Sequence, residues 1–155
     1  MQKLPPMRRK DKQLDNETTL RILNEASYGT LALYGKEGPY CLPTNFVFRA
    51  GEIFIHCADE GYKLSCISFD TRFCFNAVMN IKKQDEFTFL YQSVSCFGTA
   101  EIIVDEVQKR DALKLLCKKY YDYSDEIMNT AIDKDIARTV IIKLSCEFIS
   151  GKGKI

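Results

Sequence analysis

The only histidine and a nearby lysine flank a turn that can bind an anion. His56 lies at the end of a short apolar run, and Asp59-Glu60-Gly61 then leads into a helical pattern whose first turn contains Lys63. Free backbone N–H groups at a helix start, the close approach that Gly61 allows and the lysine ammonium would together hold a phosphate. The alternatives are a solvated surface lysine and a structural, hydrogen-bonded histidine, because no glycine-rich phosphate motif surrounds them.

Two other segments place polar groups inside apolar strand patterns. In the first, Pro43 removes a ladder donor and precedes residues 44–46, which predicts either a kinked edge strand or a free backbone rim that hydrogen-bonds the polar edge of a ring cofactor. The second, residues 91–98, offers Ser93 as a ligand contact or Gly98 as the bend of a barrel strand. The residues alone leave both pairs of alternatives open.

The histidine and cysteine content argues against two other kinds of site. One histidine and unclustered cysteines do not supply the ligands of a tetrahedral zinc site, so we predict no metal. The chain also lacks a G-x-S-x-G motif, and a serine nucleophile would have to share His56 as its base. The cysteines are seven in number without a C-x-x-C pair, which indicates reduced, buried thiols of a cytoplasmic protein; they stand at positions 41, 57, 66, 74, 96, 117 and 146.

Size and charge narrow the class of protein further. The 155 residues fit a single domain, and 46% apolar with 28% charged residues are ordinary soluble values without a membrane-spanning run. The net charge of +1 gives little attraction to polyanions, so neither a nucleic acid nor a membrane is an expected partner. We read residues 1–14 as a solvated basic arm and residues 150–155 as a mobile basic tail.

Hydrophobic periodicity predicts an antiparallel β-barrel with peripheral helices. Because hairpins dominate and no regular βαβ alternation occurs, six strands closing into a barrel are favoured over a parallel sheet. The predicted strands are 29–33, 40–48, 52–57, 72–79, 87–104 (with a bend near 95–98) and 139–149. The predicted helices are 15–26, 62–69 and 107–120, while 121–134 reads as a second helix or as irregular chain.

In this order and spacing, the motifs resemble the nitroimidazole-resistance (Nim) branch of the pyridoxamine 5'-phosphate oxidase-like flavoproteins. The likeness covers nearly the whole chain, and the order of its motifs is more specific than any one of them. The matching segments are Met7-Arg8-Arg9-Lys10-Asp11, Ala26-Ser27-Tyr28-Gly29-Thr30-Leu31, Pro39-Tyr40, Pro43-Thr44-Asn45-Phe46, Ile55-His56 with Gly61 and Lys63, Tyr91-Gln92-Ser93-Val94, Phe97-Gly98-Thr99-Ala100 and Ile149-Ser150-Gly151-Lys152.

The resemblance implies a split-barrel homodimer with two flavins between the subunits, FMN being the usual cofactor and FAD the alternative. Gly61 and Lys63 would hold the phosphate, and His56 would lie near the flavin as the candidate catalytic residue. The isoalloxazine ring would be lined by Pro43, Thr44, Asn45, Phe46, Tyr91, Ser93 and Val94.

Electrons would pass from NAD(P)H to a small acceptor such as a nitroaromatic compound. A protein that only stores or senses flavin or haem, and a purely structural dimer, are the competing hypotheses. Oxidation of vitamin B6 is not expected, since the chain ends in residues 151–155 without an arginine-rich substrate segment.

Overall fold

The computed structural model describes residues 5–155, so the first four residues of the predicted basic arm lie outside the described part of the chain. Seven β-strands and four α-helices follow one another in that range, with short 3-10 helices at Lys10–Lys12 and Ile136–Arg138. In chain order they are α1 (Asn16–Glu25), β1 (Gly29–Gly35), β2 (Gly38–Thr44), β3 (Val47–Arg49), β4 (Glu52–Ala58), α2 (Tyr62–Phe69), β5 (Arg72–Asp85), β6 (Thr88–Ile103), α3 (Glu106–Tyr120), α4 (Asp125–Asp135) and β7 (Thr139–Lys154).

All seven strands form one antiparallel sheet in the order β2-β1-β5-β6-β7-β4-β3. Its two edge strands, β2 and β3, are consecutive in the chain and separated only by Asn45 and Phe46. A sheet whose opposite edges are joined by two residues must curl round on itself. The result is a split barrel, closed at this corner, and the predicted mainly β fold is confirmed.

The core lies inside the curled sheet, where α1 and α2 cover it. Asp15 caps α1 by accepting a hydrogen bond from the Thr18 amide at 2.7 Å, and the helix turns Ile22 and Leu23 fully inward. In α2, which has the predicted bounds, Cys66 and Ile67 enter the same cluster. A second cluster forms where α3 packs on β3, β4 and β7; its buried members are Val47, Ile103, Ala112, Leu116 and Ile141.

The outer face of the central strands is left with exposed apolar side chains. Val78 on β5 is 41% exposed and Phe148 on β7 is 46% exposed, and the Phe148 ring lies 6.3 Å from that of Phe97 on β6. Apolar exposure continues along the β5–β6 hairpin, where Phe87 and Ile81 are 93% and 67% exposed. We call this surface, Val78, Ile81, Phe87, Phe97 and Phe148, the outer apolar face.

Two of the predicted strand boundaries are wrong. The predicted strand 40–48 is two strands, because Asn45 and Phe46 carry the chain from one sheet edge to the other, and this raises the strand count from six to seven. The predicted strand 72–79 continues as β5 to Asp85, because it pairs with β6 along a long hairpin.

The bend expected between residues 95 and 98 lies at the β6–β7 register shift. Phe97 pairs with Phe148 and Gly98 pairs with Cys146, so Glu147 is the extra residue of a bulge. A Cβ on Gly98 would overlap the carbonyl oxygen of Ser145, and glycine is therefore required at this close approach. The uncertain stretch 121–134 contains the helix α4, capped by Ser124.

The predicted mobile tail is also wrong. Residues 150–154 extend β7 and pair with β6, with Lys154 opposite Tyr91 and Lys152 opposite Ser93. Within residues 5–14, the described part of the predicted solvated arm, Gln13 forms a bridge to Lys152 and the Leu14 amide donates to the Gly151 carbonyl, so the end of the arm pairs with this strand. All seven cysteines are free, but Cys41 is exposed rather than buried.

Candidate functional site

The junction between β4 and α2 leaves the start of a helix without a side-chain cap. Side chains of Asp15, Asp105 and Ser124 cap α1, α3 and α4, whereas Gly61 stands at the cap position of α2 with φ of 128° and no side chain to offer. L-residues rarely adopt this backbone conformation. The first amides of α2 are thus presented to an external acceptor, and an anion suits them best.

Two effects set the electrostatics of this junction. Partial loss of solvent around the imidazole lowers the pKa of His56 below the usual value, although the residue as a whole is exposed, and Lys63 in the first turn of α2 adds a smaller effect in the same direction. Burial raises the pKa of the Cys57 thiol, and Lys63 opposes that rise. The His56 imidazole is therefore predominantly neutral at neutral pH, and its free ring nitrogen can accept a proton.

His56 faces away from the barrel core. On β4 the side chains of Ile53, Ile55 and Cys57 point into the core, so His56 and Phe54 lie on the opposite, outer face. The β3–β4 ladder pairs Val47 with Phe54 and ends there, two residues after Asn45. The predicted site segment at the corner therefore leads directly into a strand that pairs with β4, the strand that carries His56.

The corner itself, residues 43–46, presents few free groups. Pro43 is exposed on β2, an edge strand, as its missing donor predicts. Phe46 is fully buried, and its ring packs edge-on against Phe75 at 4.7 Å. Because Phe46 is buried and its backbone groups are bonded elsewhere, a ligand could contact Pro43, Thr44 and Asn45, and only Thr44 and Asn45 have polar side chains.

Sequence reasoning missed the two residues that hold this corner. The Tyr120 hydroxyl lies 2.9 Å from both the amide nitrogen and the carbonyl oxygen of Phe46, and it donates to the Ser27 carbonyl at 2.7 Å. Lys119 places its ammonium 3.8 Å from the centroid of the Phe46 ring. Tyr120 is the last residue of the predicted helix 107–120, but nothing in the sequence indicated its partner.

The third predicted site segment, residues 91–98, lies apart from the corner and from the β4–α2 junction within one chain. Tyr91 and Ser93 project from the outer face of β6, while Val94 is fully buried in the core. The strand register places Pro43 on β2 in line with Ser95 on β6, with β1 and β5 between them. Three inter-strand spacings therefore separate these two residues by about 14 Å along the sheet. A convex sheet face cannot enclose a ligand alone, so one chain presents the site as two separate halves.

Two further observations concern residues 5–155 only. In this range no three His, Cys, Asp or Glu side chains are grouped as a metal ion would require. No helix in the same range has the length and apolar character needed to span a membrane.

Residues 5–155 form an antiparallel split barrel in which the start of α2 carries no side-chain cap. The chain belongs to the pyridoxamine 5'-phosphate oxidase family, since the model of that family matches residues 15–153. The match covers the corner, the β4–α2 junction and β6. No curated protein matches the chain.

Solved structures share the fold at low sequence identity. A conserved hypothetical protein from Mycobacterium tuberculosis is 20% identical with a TM-score of 0.79, and the alignment covers 96% of this chain and 90% of that one. A candidate 5-nitroimidazole resistance protein from Bacteroides thetaiotaomicron is 22% identical with a TM-score of 0.74, over 91% and 86% of the two chains. An FAD- and haem-binding protein from Mycobacterium smegmatis is 22% identical with a TM-score of 0.73, over 92% and 73%.

Proposed function

We propose that this protein is a homodimeric, flavin-dependent oxidoreductase of the cytoplasm, with FMN as its cofactor and FAD as the alternative. The observation that carries the proposal is the uncapped start of α2, where Gly61 and Lys63 lie beside His56. The family supports a flavin, since related folds include FAD-binding proteins from Mesorhizobium loti and M. smegmatis. The seven free cysteines fit a reducing compartment.

The residues of the junction fit the phosphate end of a flavin mononucleotide. A phosphate brings several strong acceptor oxygens and close to two negative charges, and the site offers backbone amides and one ammonium to receive them. On the ring side, Thr44 and Asn45 would supply polar groups at the corner. The donor set is thus suited to an anion at one end and to a flat polar edge at the other.

In the proposed reaction, flavin bound here would supply the redox chemistry that links oxidation of NAD(P)H to reduction of a small acceptor such as a nitroaromatic compound. The chain's own residues bind and orient. Lys63 would neutralise the phosphate, and Asn45 would meet the ring edge. The imidazolium form of His56 would give its proton to the reduced acceptor and regain one from solvent; the lowered pKa makes this the minor form at neutral pH. The resemblance to Nim proteins suggests the acceptor class.

We further propose that a second copy of this chain completes the site. The outer apolar face exposes large side chains on the strands that carry Tyr91 and Ser93 or pair with them, with Val78 directly opposite Ser93, and exposed apolar side chains of this size are typical of interfaces. Docking two such faces would bring Tyr91 and Ser93 of one subunit to the corner of the other. Each flavin would then be enclosed between two chains.

Cofactor binding is tested by titrating the purified protein with FMN and with riboflavin and recording the visible spectrum. We expect Lys63→Gln to weaken FMN binding about tenfold or more but to leave riboflavin binding nearly unchanged, since riboflavin carries no phosphate. Lys134→Gln, on the exposed surface of α4, is the matched control. Equal losses for both ligands, or no flavin uptake by the wild type, would contradict the phosphate role.

Turnover is tested anaerobically. NAD(P)H should bleach the bound flavin, and a nitroaromatic compound should restore its colour. His56→Gln should slow the second step several-fold with little change in FMN affinity. A flavin that no nicotinamide reduces would instead identify a storage or sensing protein.

The dimer is tested by light scattering of Phe148→Glu. A charge on the outer apolar face, where Phe148 lies against Phe97, should yield monomers with weakened FMN binding, whereas Tyr121→Glu, at an exposed aromatic elsewhere, should change neither. A wild-type protein that is monomeric with flavin bound would refute the shared site.

A further inference from the structure

The corner between β2 and β3 is held from outside the sheet. Asn45 and Phe46 form the two-residue connection between the sheet edges, and neither belongs to a strand. Backbone groups at such a position need partners from elsewhere, because an unpaired buried amide is costly. The Asn45 carbonyl accepts from the neighbouring Thr44 hydroxyl at 3.0 Å, whereas the partner of the Phe46 backbone comes from the last turn of α3, more than 70 residues further along the chain.

The Tyr120 hydroxyl fastens three chain segments at one point. It accepts from the Phe46 amide at 2.9 Å and donates to the Ser27 carbonyl at 2.7 Å, with the Phe46 carbonyl oxygen also 2.9 Å away. A phenol hydroxyl has one hydrogen and two lone pairs, so these contacts use its donor and an acceptor site. The end of α1, the corner and the end of α3 are therefore fixed relative to one another.

Lys119 fixes the side chain of the same residue. Its ammonium lies 3.8 Å from the centroid of the buried Phe46 ring, and it is 3.4 Å from the Leu23 carbonyl oxygen. Among the ion pairs of residues 5–155, none involves Lys119. Besides the Phe46 ring and the Leu23 carbonyl, the Tyr120 ring lies near this cation, with its centroid 5.6 Å away. Phe46 is thus held through its backbone by Tyr120 and through its ring by Lys119.

From these contacts we infer that Tyr120, supported by Lys119, is a positioning residue for cofactor binding: it fixes the backbone of the corner so that Thr44 and Asn45 meet the ring edge of the flavin. The inference rests on the proposed function for the identity of the ligand. Tyr120 itself bonds to backbone groups of the corner and acts only through them. If the corner is already ordered before the flavin binds, none of the binding free energy is spent on ordering it. The affinity for flavin is then higher.

Tyr120→Phe is the sharpest variant, because it keeps the ring and removes only the hydroxyl. Tyr121→Phe is the matched control, because Tyr121 is adjacent to Tyr120 in the chain but is exposed and stacks on Tyr123. We expect Tyr120→Phe to accelerate amide hydrogen exchange in residues 44–47, to weaken FMN binding about tenfold and to shift the absorption maximum of the bound flavin. Tyr121→Phe should alter none of these.

The outcomes separate a positioning role from a merely structural one. Faster exchange at the corner with unchanged FMN affinity and spectrum, measured well below the melting temperature, would overturn the inference while the proposed function stood. Wild-type protein that binds no flavin would refute the proposed function and the inference together. If Tyr120→Phe fails to fold, Lys119→Met must reproduce the faster exchange, the weaker binding and the spectral shift, and its failure to do so would overturn the inference.

Discussion

Replacing Lys119 by methionine should remove a rise in the free energy of unfolding that the wild-type protein gains from this residue at alkaline pH. Burial lowers the pKa of Lys119 from its ordinary 10.5 to about 8, because the ammonium loses water between α1 and the corner. Methionine keeps the length of the aliphatic stem and removes the ionisable amine. The variant therefore reports the cost of burying the charge.

The sign follows from the protons bound by each state. Below about pH 8 the amine is charged in both the folded and the unfolded chain, and the native state bears the full cost of burial. Between about pH 8 and the unfolded pKa of 10.5, the native amine loses its proton first, and the free energy of unfolding rises. A fall from 10.5 to about 8 corresponds to about 3 kcal/mol at 1.36 kcal/mol per pKa unit.

We expect a smaller change in practice, about 1–3 kcal/mol, because Lys119 retains some contact with solvent. The assay is urea unfolding of wild type and Lys119→Met at several values between about pH 7 and pH 10, compared as the difference in unfolding free energy.

Buried thiols such as Cys57, whose pKa is raised, oppose the trend, but they are common to both proteins and cancel. Lys118→Met removes a neighbouring exposed ammonium and controls for the loss of one charge. A difference that stays flat, or that falls, would refute the assignment of a buried, unpaired amine.

Three further changes test other parts of the structure. Gly98→Ala should destabilise the fold by about 2–4 kcal/mol in urea unfolding, because its Cβ would overlap the Ser145 carbonyl oxygen; a stability equal to wild type would contradict the bulge geometry. Asp15→Ala should lower the melting temperature by removing the acceptor for the Thr18 amide, and the loss should vanish as acid protonates the Asp15 carboxyl, whose hydrogen bonds hold its pKa below the usual value. Cys41 should be the first thiol alkylated in the native protein; peptide mapping that finds another cysteine first would contradict its exposure.

Local signals explain the parts of the fold that the sequence predicts well. Helix α1 begins at a capping aspartate and follows a single apolar stripe, and α2 starts after a glycine with positive φ. These features act within a few residues, so composition and periodicity reveal them. The edge position of β2 likewise follows from Pro43 alone.

The missed features depend on residues that are distant in the chain. The tail 151–154 has the composition of a flexible end, but its glycines permit close contact: a Cβ on Gly151 would overlap the Thr19 hydroxyl. The break at Asn45 is hidden in an apolar run and is stabilised by Tyr120, 74 residues beyond Phe46. No local pattern encodes such partners.

Because the candidate site is divided between two surfaces of the chain, flavin binding should depend on the protein concentration. The phosphate half belongs to the β4–α2 junction, and the β6 half, with Tyr91 and Ser93, lies on a convex face of the same chain. If both halves contact one flavin, ligand binding and dimer formation are linked, and each must strengthen the other by the same factor. FMN should therefore lower the dissociation constant of the dimer, and dilution of the protein should weaken FMN binding. An FMN affinity that is independent of protein concentration across the monomer–dimer transition would confine the cofactor to a single chain and leave Tyr91 and Ser93 without a part in it.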